Sequence, residues 1–476
     1  MARRFVPTGV EGLDDILGGG FPRKSLIALA GCPGTGKTVF SAQFLYRGCR
    51  DYGENGVYAS FAESKDAFYE NMANFGFAFK KLEAKGKFRF LELSTVKEKG
   101  LPVVVELILK EIAETGAKRL VVDSFSALAQ AFKDSHEARV LLHSVISKIC
   151  RLYECTSLFI IEHLCESDRM SFGVEGFVAD GILHFKKGSV WHRPLRELEL
   201  LKMRGTPTPE THLAFTLKDG FKAFSSFKAK TVCKPQRFTP QPDTQGLYST
   251  GAPSLDEMLG GGYPRGAPVL IEIGEGVSTL QYHLLVVPTA WNFIAQRRGV
   301  IVIPSAGVDH NIVKRRAEEG GLTSTETSEL LRVCVKGYPE IKLEPYVVIF
   351  KGESIVEDYA GYISVERELM ARTGQPVLRI TGADMLVGMY GLKETLSALK
   401  IDAAKIREVA GLGIVLLKPG YPRLSKVLAA IADVHIRVKR YRGKIFVYGV
   451  KPRTNLYALE MDTSKGYALP KLTPIM

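Results

Sequence analysis

The octapeptide Gly31-Cys32-Pro33-Gly34-Thr35-Gly36-Lys37-Thr38 fits the spacing G-x-x-x-x-G-K-[ST] and is flanked as such a loop must be to work. Leu26-Ile27-Ala28-Leu29-Ala30 has the composition of a core strand, and Phe40, Phe44 and Leu45 recur at helical spacing within residues 39–47. Strand, glycine turn, helix is the order a phosphate cradle needs, because amide N–H groups must converge on one centre at an open helix start. In this reading residues 31–38 hold a polyphosphate, Lys37 reaches the β and γ phosphates, and the Thr38 hydroxyl binds Mg²⁺. An ordinary glycine turn is the alternative.

The opening of this segment is written twice. Residues 8–23 (TGVEGLDDILGGGFPR) are echoed by 250–265 (TGAPSLDEMLGGGYPR), with ten of sixteen positions identical at an offset of 242 residues. Such agreement indicates two copies of one domain rather than a short solenoid repeat. A chain of 476 residues is in any case too long for one ordinary core. The reading is therefore a first domain over 1–225, a linker over 226–247 and a second domain over 248–476. Phe227 to Gln245 is rich in Lys, Pro, Thr and Gln, which suggests an exposed linker.

Each copy alternates strand-like and helix-like segments, the pattern of an α/β fold with a mainly parallel sheet and helices on both faces. Strands are expected near 26–30, 57–61, 88–93, 119–122 and 157–161. Segments 182–187, 195–203 and 212–217 read as antiparallel edge strands. Nucleotides bind at the carboxyl ends of strands in such sheets.

Composition excludes some classes. No apolar run reaches the roughly 18 residues of a membrane span, and residues 1–8 lack the apolar region of a signal peptide, so a cytoplasmic protein is expected. Seven cysteines show no C-x-x-C and no zinc spacing, and are expected to be reduced. The net charge of +13 is uneven: 31 Lys/Arg against 27 Asp/Glu in residues 1–225, and 33 against 24 afterwards. The excess fits a nucleic-acid or acidic-partner surface, or simply solvated faces.

Ser/Thr-Gly-x-x-x-Leu-Asp-x-x-Leu-Gly-Gly-Gly, the phosphate loop, Arg119-Leu-Val-Val-Asp123-Ser124, Phe172-Gly-Val-Glu-Gly-Phe-Val-Ala-Asp180-Gly181 and Leu201-Lys202-Met203-Arg204-Gly205-Thr206 together resemble the KaiC-like branch of the RecA superfamily of ATPases. The resemblance spans the whole first copy. It implies two tandem RecA-like P-loop domains, with Mg·ATP bound at the seam between protomers of a homo-oligomeric ring, commonly a hexamer. It also implies that Asp123 orders the Mg²⁺ shell with Thr38, and that Lys202 and Arg204 reach the neighbour's nucleotide as an arginine finger would. The family's paired acids fall on Ala62 and Glu63, so Glu63 must serve alone as the base that orients water, or hydrolysis will be slow. Glu162 is a second candidate, and His163 reads as a sensor or packing residue. The family's His after Lys-x-Arg falls on Thr208, with His212 out of register.

The second copy has lost its site. Ile273-Gly-Glu-Gly-Val-Ser-Thr-Leu280 stands where the phosphate loop should be, with no lysine, and with Glu275 repelling a polyphosphate. Thr381 is expected at the place of Asp123, and Pro304 and Ser305 at the acid pair. These losses argue against a clock-type autokinase, which in the family needs ATP in the second ring. A basic hairpin over 435–448 (Arg437, Lys439, Arg440, Arg442, Lys444, with Tyr441, Phe446 and Tyr448) could track a nucleic-acid backbone or protect a sheet edge. Lys451-Pro452-Arg453 echoes Lys-x-Arg. Three readings follow: a slow Mg·ATPase active in its first domain only with a scaffolding second domain that meets a protein partner, a nucleotide-gated binding protein with incidental turnover, or a nucleic-acid-acting recombinase relative.

Overall fold

In the computed structural model the described residues are 4–93, 101–124, 151–162, 179–337 and 344–476. They separate into two compact units, Met1–Ser226 with Pro474–Met476, and Phe227–Thr473.

In the first unit β1 (Phe5–Val6) pairs with β2 (Phe21–Pro22), and a nine-stranded sheet follows. Its strands are β3 (Leu26–Gly31), β4 (Gly56–Ser60), β5 (Phe88–Glu92), β6 (Arg119–Asp123), β7 (Thr156–Glu162), β8 (Gly181–Val190), β9 (Arg193–Met203), β10 (His212–Thr216) and β11 (Lys222–Phe224), in the order β11-β10-β9-β8-β3-β7-β6-β4-β5. From β8 to β5 neighbours run parallel, and β9, β10 and β11 continue antiparallel at one edge. The segment 182–187, expected to be antiparallel, is parallel to β3 on one side and antiparallel to β9 on the other. Helices α1 (Lys37–Asp51), α2 (Lys65–Ala73), α3 (Phe79–Ala84) and α4 (Leu101–Thr115) cover the sheet.

Central strands buried on both faces read as continuous apolar runs. Ile27, Leu29, Tyr58 and Val121 pack with Phe40 and Phe44 of α1. Their strand neighbours Leu26, Val57, Ala59, Leu120 and Val122 pack with Val104 and Ile108 of α4. Alternation of side chains across the pleat thus divides one sheet between two cores.

The second unit repeats this plan. β12 (Leu247–Tyr248) pairs with β13 (Tyr263–Pro264), and α5 (Pro253–Leu259) lies between them in sequence. The main strands are β14 (Pro268–Ile273), β15 (Val300–Ile303), β16 (Leu331–Lys336), β17 (Val347–Phe350), β18 (Leu378–Gly382), β19 (Leu412–Leu417), β20 (Val434–Tyr441), β21 (Lys444–Lys451), β22 (Tyr457–Asp462) and β23 (Leu469–Pro474). Their order is β17-β16-β15-β18-β19-β14-β20-β21-β22-β23, the first unit's order with β17 added at one edge. Helices are α6 (Thr279–Ala295), α7 (His310–Glu319), α8 (Ser324–Leu330), α9 (Ile355–Thr373), α10 (Ala383–Tyr390), α11 (Leu392–Glu408) and α12 (Pro422–Ile431).

Most residues of Phe227 to Gln245 are exposed, but Phe238 is buried against Trp291 and Tyr467 and Arg237 pairs with Glu326. One buried aromatic anchors a stretch whose composition is otherwise that of a linker. The basic hairpin is present as β20 and β21 but lies inside the sheet, not at an edge. Among the described residues no helix is long and apolar enough to cross a membrane.

Candidate functional site

The loop between β3 and α1 is built for close backbone approach. A Cβ on Gly31 would stand 2.4 Å from the Phe185 carbonyl oxygen, and Gly36 caps α1 at φ 105, where an L side chain is strained. No side chain caps α1 and no acid stands in its first turn, so its amide donors are left for an anion. Lys37, 4% exposed, donates to the carbonyls of Gly31 and Cys32 at 2.8 Å each. Burial lowers its pKa, opposed by the carboxylates of Glu162 and Asp123.

The Thr38 hydroxyl donates to Asp123 Oδ2 at 3.1 Å, so the two residues expected to share a metal shell are in contact. Tyr58 donates to the same oxygen at 2.6 Å. Burial raises the Asp123 pKa, and the hydrogen bonds from Tyr58 and Thr38 hold it down. Glu162 is opposite Gly31 in the β3–β7 ladder. Gly31, Asp123 and Glu162 end parallel strands, and Lys37 and Thr38 open the helix after β3, where a ligand crevice is expected.

The remaining predicted residues fall elsewhere. Glu63 is engaged by its neighbours: Ser60 Oγ is tied to its backbone N–H and carbonyl, and Asn71 donates to its Oε1 at 2.5 Å, while its charge, after burial and Asp123, helps raise the Tyr58 pKa. Ala62 is exposed. Lys202 is level with Ile182 and hence with Ala28 of β3, while the Arg204 N–H donates to the Asp180 carbonyl at the start of that strand. Counting back from Gly31 puts Arg204 about 16 Å from the loop end of the sheet. That exceeds the reach of its side chain, so these cations cannot serve the nucleotide loop of their own chain. His212 contacts Glu199 at 3.2 Å. His163 and residues 172–178 lie outside the described residues. Cys32 is disulfide-bonded, which corrects the expectation of an all-reduced set.

Sequence reasoning missed Tyr58 and Arg196. Arg196 Nη1 donates to the loop carbonyls of Gly34 at 3.2 Å and Thr35 at 3.4 Å. Neither stands in a motif; each reaches the site only through strand register.

In the second unit the equivalent helix start is closed. Ser278 caps α6 and the Gln281 side chain returns to the Ser278 N–H at 2.8 Å, a capping box that uses the donors α1 leaves open. Register corrects two sequence alignments. Pairing Leu26 with Pro268 and following the ladders carries Asp123 onto Gly382 rather than Thr381, and Ser60 onto Pro304, so the acid pair falls on Ala306 and Gly307. The acids are absent either way. The same ladders carry Glu162 onto Lys418 and Lys202 onto Lys451. The hairpin's aromatics Phe446 and Tyr448 are 0% and 3% exposed and Lys444 is 4% exposed, which removes the stacking platform expected of a nucleic-acid track.

The KaiC ATPase family model matches residues 6–223, and a region described as GvpD basic region 2 matches residues 237–318. The circadian clock oscillator protein KaiC of Prochlorococcus marinus (strain MIT 9313) is 30% identical over 274 residues, which are 56% of this chain and 53% of the relative. That of Synechococcus elongatus is 29% identical over 356 residues, 73% of this chain and 66% of the relative. A solved KaiC-like protein from Pyrococcus horikoshii OT3 is 29% identical, with a TM-score of 0.42 over 47% of this chain and 99% of its own. The chain spans about half the length of the first of these curated relatives. Its fold and loop define a P-loop protein of the RecA superfamily. Within that class, the matched first unit is a KaiC-like ATPase domain.

Proposed function

We propose that the first unit binds Mg·ATP at an interface between protomers of a ring, commonly a hexamer in such proteins, and hydrolyses it slowly. The second unit serves as a non-catalytic scaffold or partner surface. The observation that carries this reading is the conjunction of an uncapped α1, Lys37 at its first turn and the Thr38–Asp123 contact. These residues fit a metal-bound triphosphate: open amides and Lys37 for the phosphates, Thr38 and Asp123 for Mg²⁺. Thr38 and Asp123 would hold Mg²⁺, which would supply positive charge against the charge that develops in transfer. Lys37 would hold the β and γ oxygens, and Tyr58 would orient Asp123. Water would be oriented by Glu63, once released from Asn71, or by Glu162. Lys202 and Arg204 would act on the neighbour's nucleotide, consistent with their distance from their own loop.

The position of Glu63 supports a second reading, in which ATP orders the assembly and turnover is incidental. The burial of Phe446 and Tyr448 weighs against a nucleic-acid role, whose motive is the basic charge of the second half. The cytoplasm is the proposed location.

Subunit mixing tests the interface. Lys37→Ala and Arg204→Ala should each abolish turnover, and rings assembled from equal parts of both should regain about a quarter of the sites, each pairing an intact loop with an intact finger. Mixed rings that stay inactive would contradict an in-trans site. An active Arg204→Ala homomer would do the same.

A further inference from the structure

The second unit contains a crevice of about 280 Å³ at the carboxyl ends of β14 and β19 and against the middle of β20, beside the closed loop. Its walls carry Lys418, Arg437 and Lys439 against one carboxylate, Glu272. That carboxylate is already engaged: Ser425, His435 and Arg437 all donate to it. Burial pushes the Glu272 pKa up, but those three hydrogen bonds and the Arg437 charge outweigh it and hold it at about 2. Lys418 donates to the Ala306 carbonyl at 2.6 Å and has Asp384 3.6 Å away. Lys439 is two residues from Arg437 on the same face of β20, and burial together with the Arg437 charge lowers its pKa.

At one position the charge is inverted relative to the first unit, while Lys439 stands where the first unit already has Lys186. Lys418 stands at the ladder position of Glu162, and Arg437 at that of His184. Gly274 lets the Lys439 stem cross the strand end, since a Cβ there would stand 3.2 Å from its Cγ. The ten-residue α12 opens on the crevice at Pro422 with no side-chain cap. Two part-buried cations on one strand face, beside uncapped amides and an acid that is fully used, form a place where added negative charge is favoured.

We propose that this crevice binds a small phosphate-bearing anion, such as a phosphomonoester or diphosphate, independently of the nucleotide loop in the first unit. The concave shape at strand ends suits a small ligand better than a polymer backbone. Lys439 and Arg437 would contact the phosphate oxygens, with the Arg423 and Leu424 amides of α12 completing the cradle, since Pro422 has no N–H.

The test is calorimetric titration of the full chain carrying Lys37→Ala, at low salt and without Mg²⁺, using inorganic phosphate and pyrophosphate as probes. One saturable site is expected, weakened about tenfold or more by Lys439→Glu and about threefold to tenfold by Lys439→Gln, while Arg442→Glu at the exposed hairpin turn has little effect. No saturation up to about 10 mM would overturn the proposal. Equal weakening by Arg442→Glu would also overturn it, since that marks diffuse surface charge. So would a single-stranded oligonucleotide that binds more tightly than pyrophosphate and loses affinity with Lys439→Glu.

Discussion

Tyr58 is the residue whose replacement best separates metal handling from folding. Its hydroxyl donates to Asp123, the carboxylate that burial drives toward protonation. Tyr58→Phe should weaken Mg²⁺-dependent ATP affinity several-fold while costing about 1 kcal/mol of stability, read from Mg²⁺ titrations beside denaturant melts. Equal affinity at limiting Mg²⁺ would remove Tyr58 from the site. His283 gives a pH prediction for the second unit. Burial, then the charges of Arg316 and Lys418, lower its pKa to about 3. Between pH 6.5 and 3 the unfolded state takes up a proton that the folded state refuses, so stability falls as pH falls. The loss is on the order of 3 kcal/mol by pH 4. His283→Gln should flatten this slope in urea melts across that range, and an unchanged slope would refute the assignment. Lys37, Thr38 and Asp123 were legible in the sequence because a contiguous motif or a strand end marks each. Tyr58 and Arg196 were not, because β-ladder register alone brings them to the loop.

At the scale of elements, α1 and α6 are the same helix in two states. One begins at a bare glycine and leaves its amides open; the other begins at Ser278 and closes them with Gln281. Ser278→Ala should cost about 1 kcal/mol and lower the second unit's melting temperature by a few degrees, without creating ATP binding there. New nucleotide binding would mean that the cap, rather than the missing lysine and acids, keeps the site shut. The strands of the first unit were readable as apolar runs between glycines, as expected when both faces of a sheet are covered. The hairpin was misjudged because alternating Arg and Lys resembles a solvated edge, whereas Arg437 is held by Glu272 and two further strands follow β21. Phe238, the one buried residue of Phe227 to Gln245, carries no signal in the composition of that stretch.

At the scale of the molecule, the duplication carries β3 onto β14, since the offset of 242 residues places Leu26 on Pro268, and the sheets then repeat the order of the remaining strands. What has diverged is the chemistry at the strand ends, where Asp123 becomes Gly382 and Glu162 becomes Lys418. Backbone topology survives such changes because it rests on the buried faces of the strands, not on their tips. The proposed function therefore requires one working nucleotide site per chain. Its most direct test is the binding stoichiometry of a slowly hydrolysed Mg·ATP analogue, measured by calorimetry on wild type and Lys37→Ala. One nucleotide per chain, lost in the variant, is predicted; two per chain, or one that survives Lys37→Ala, would contradict it.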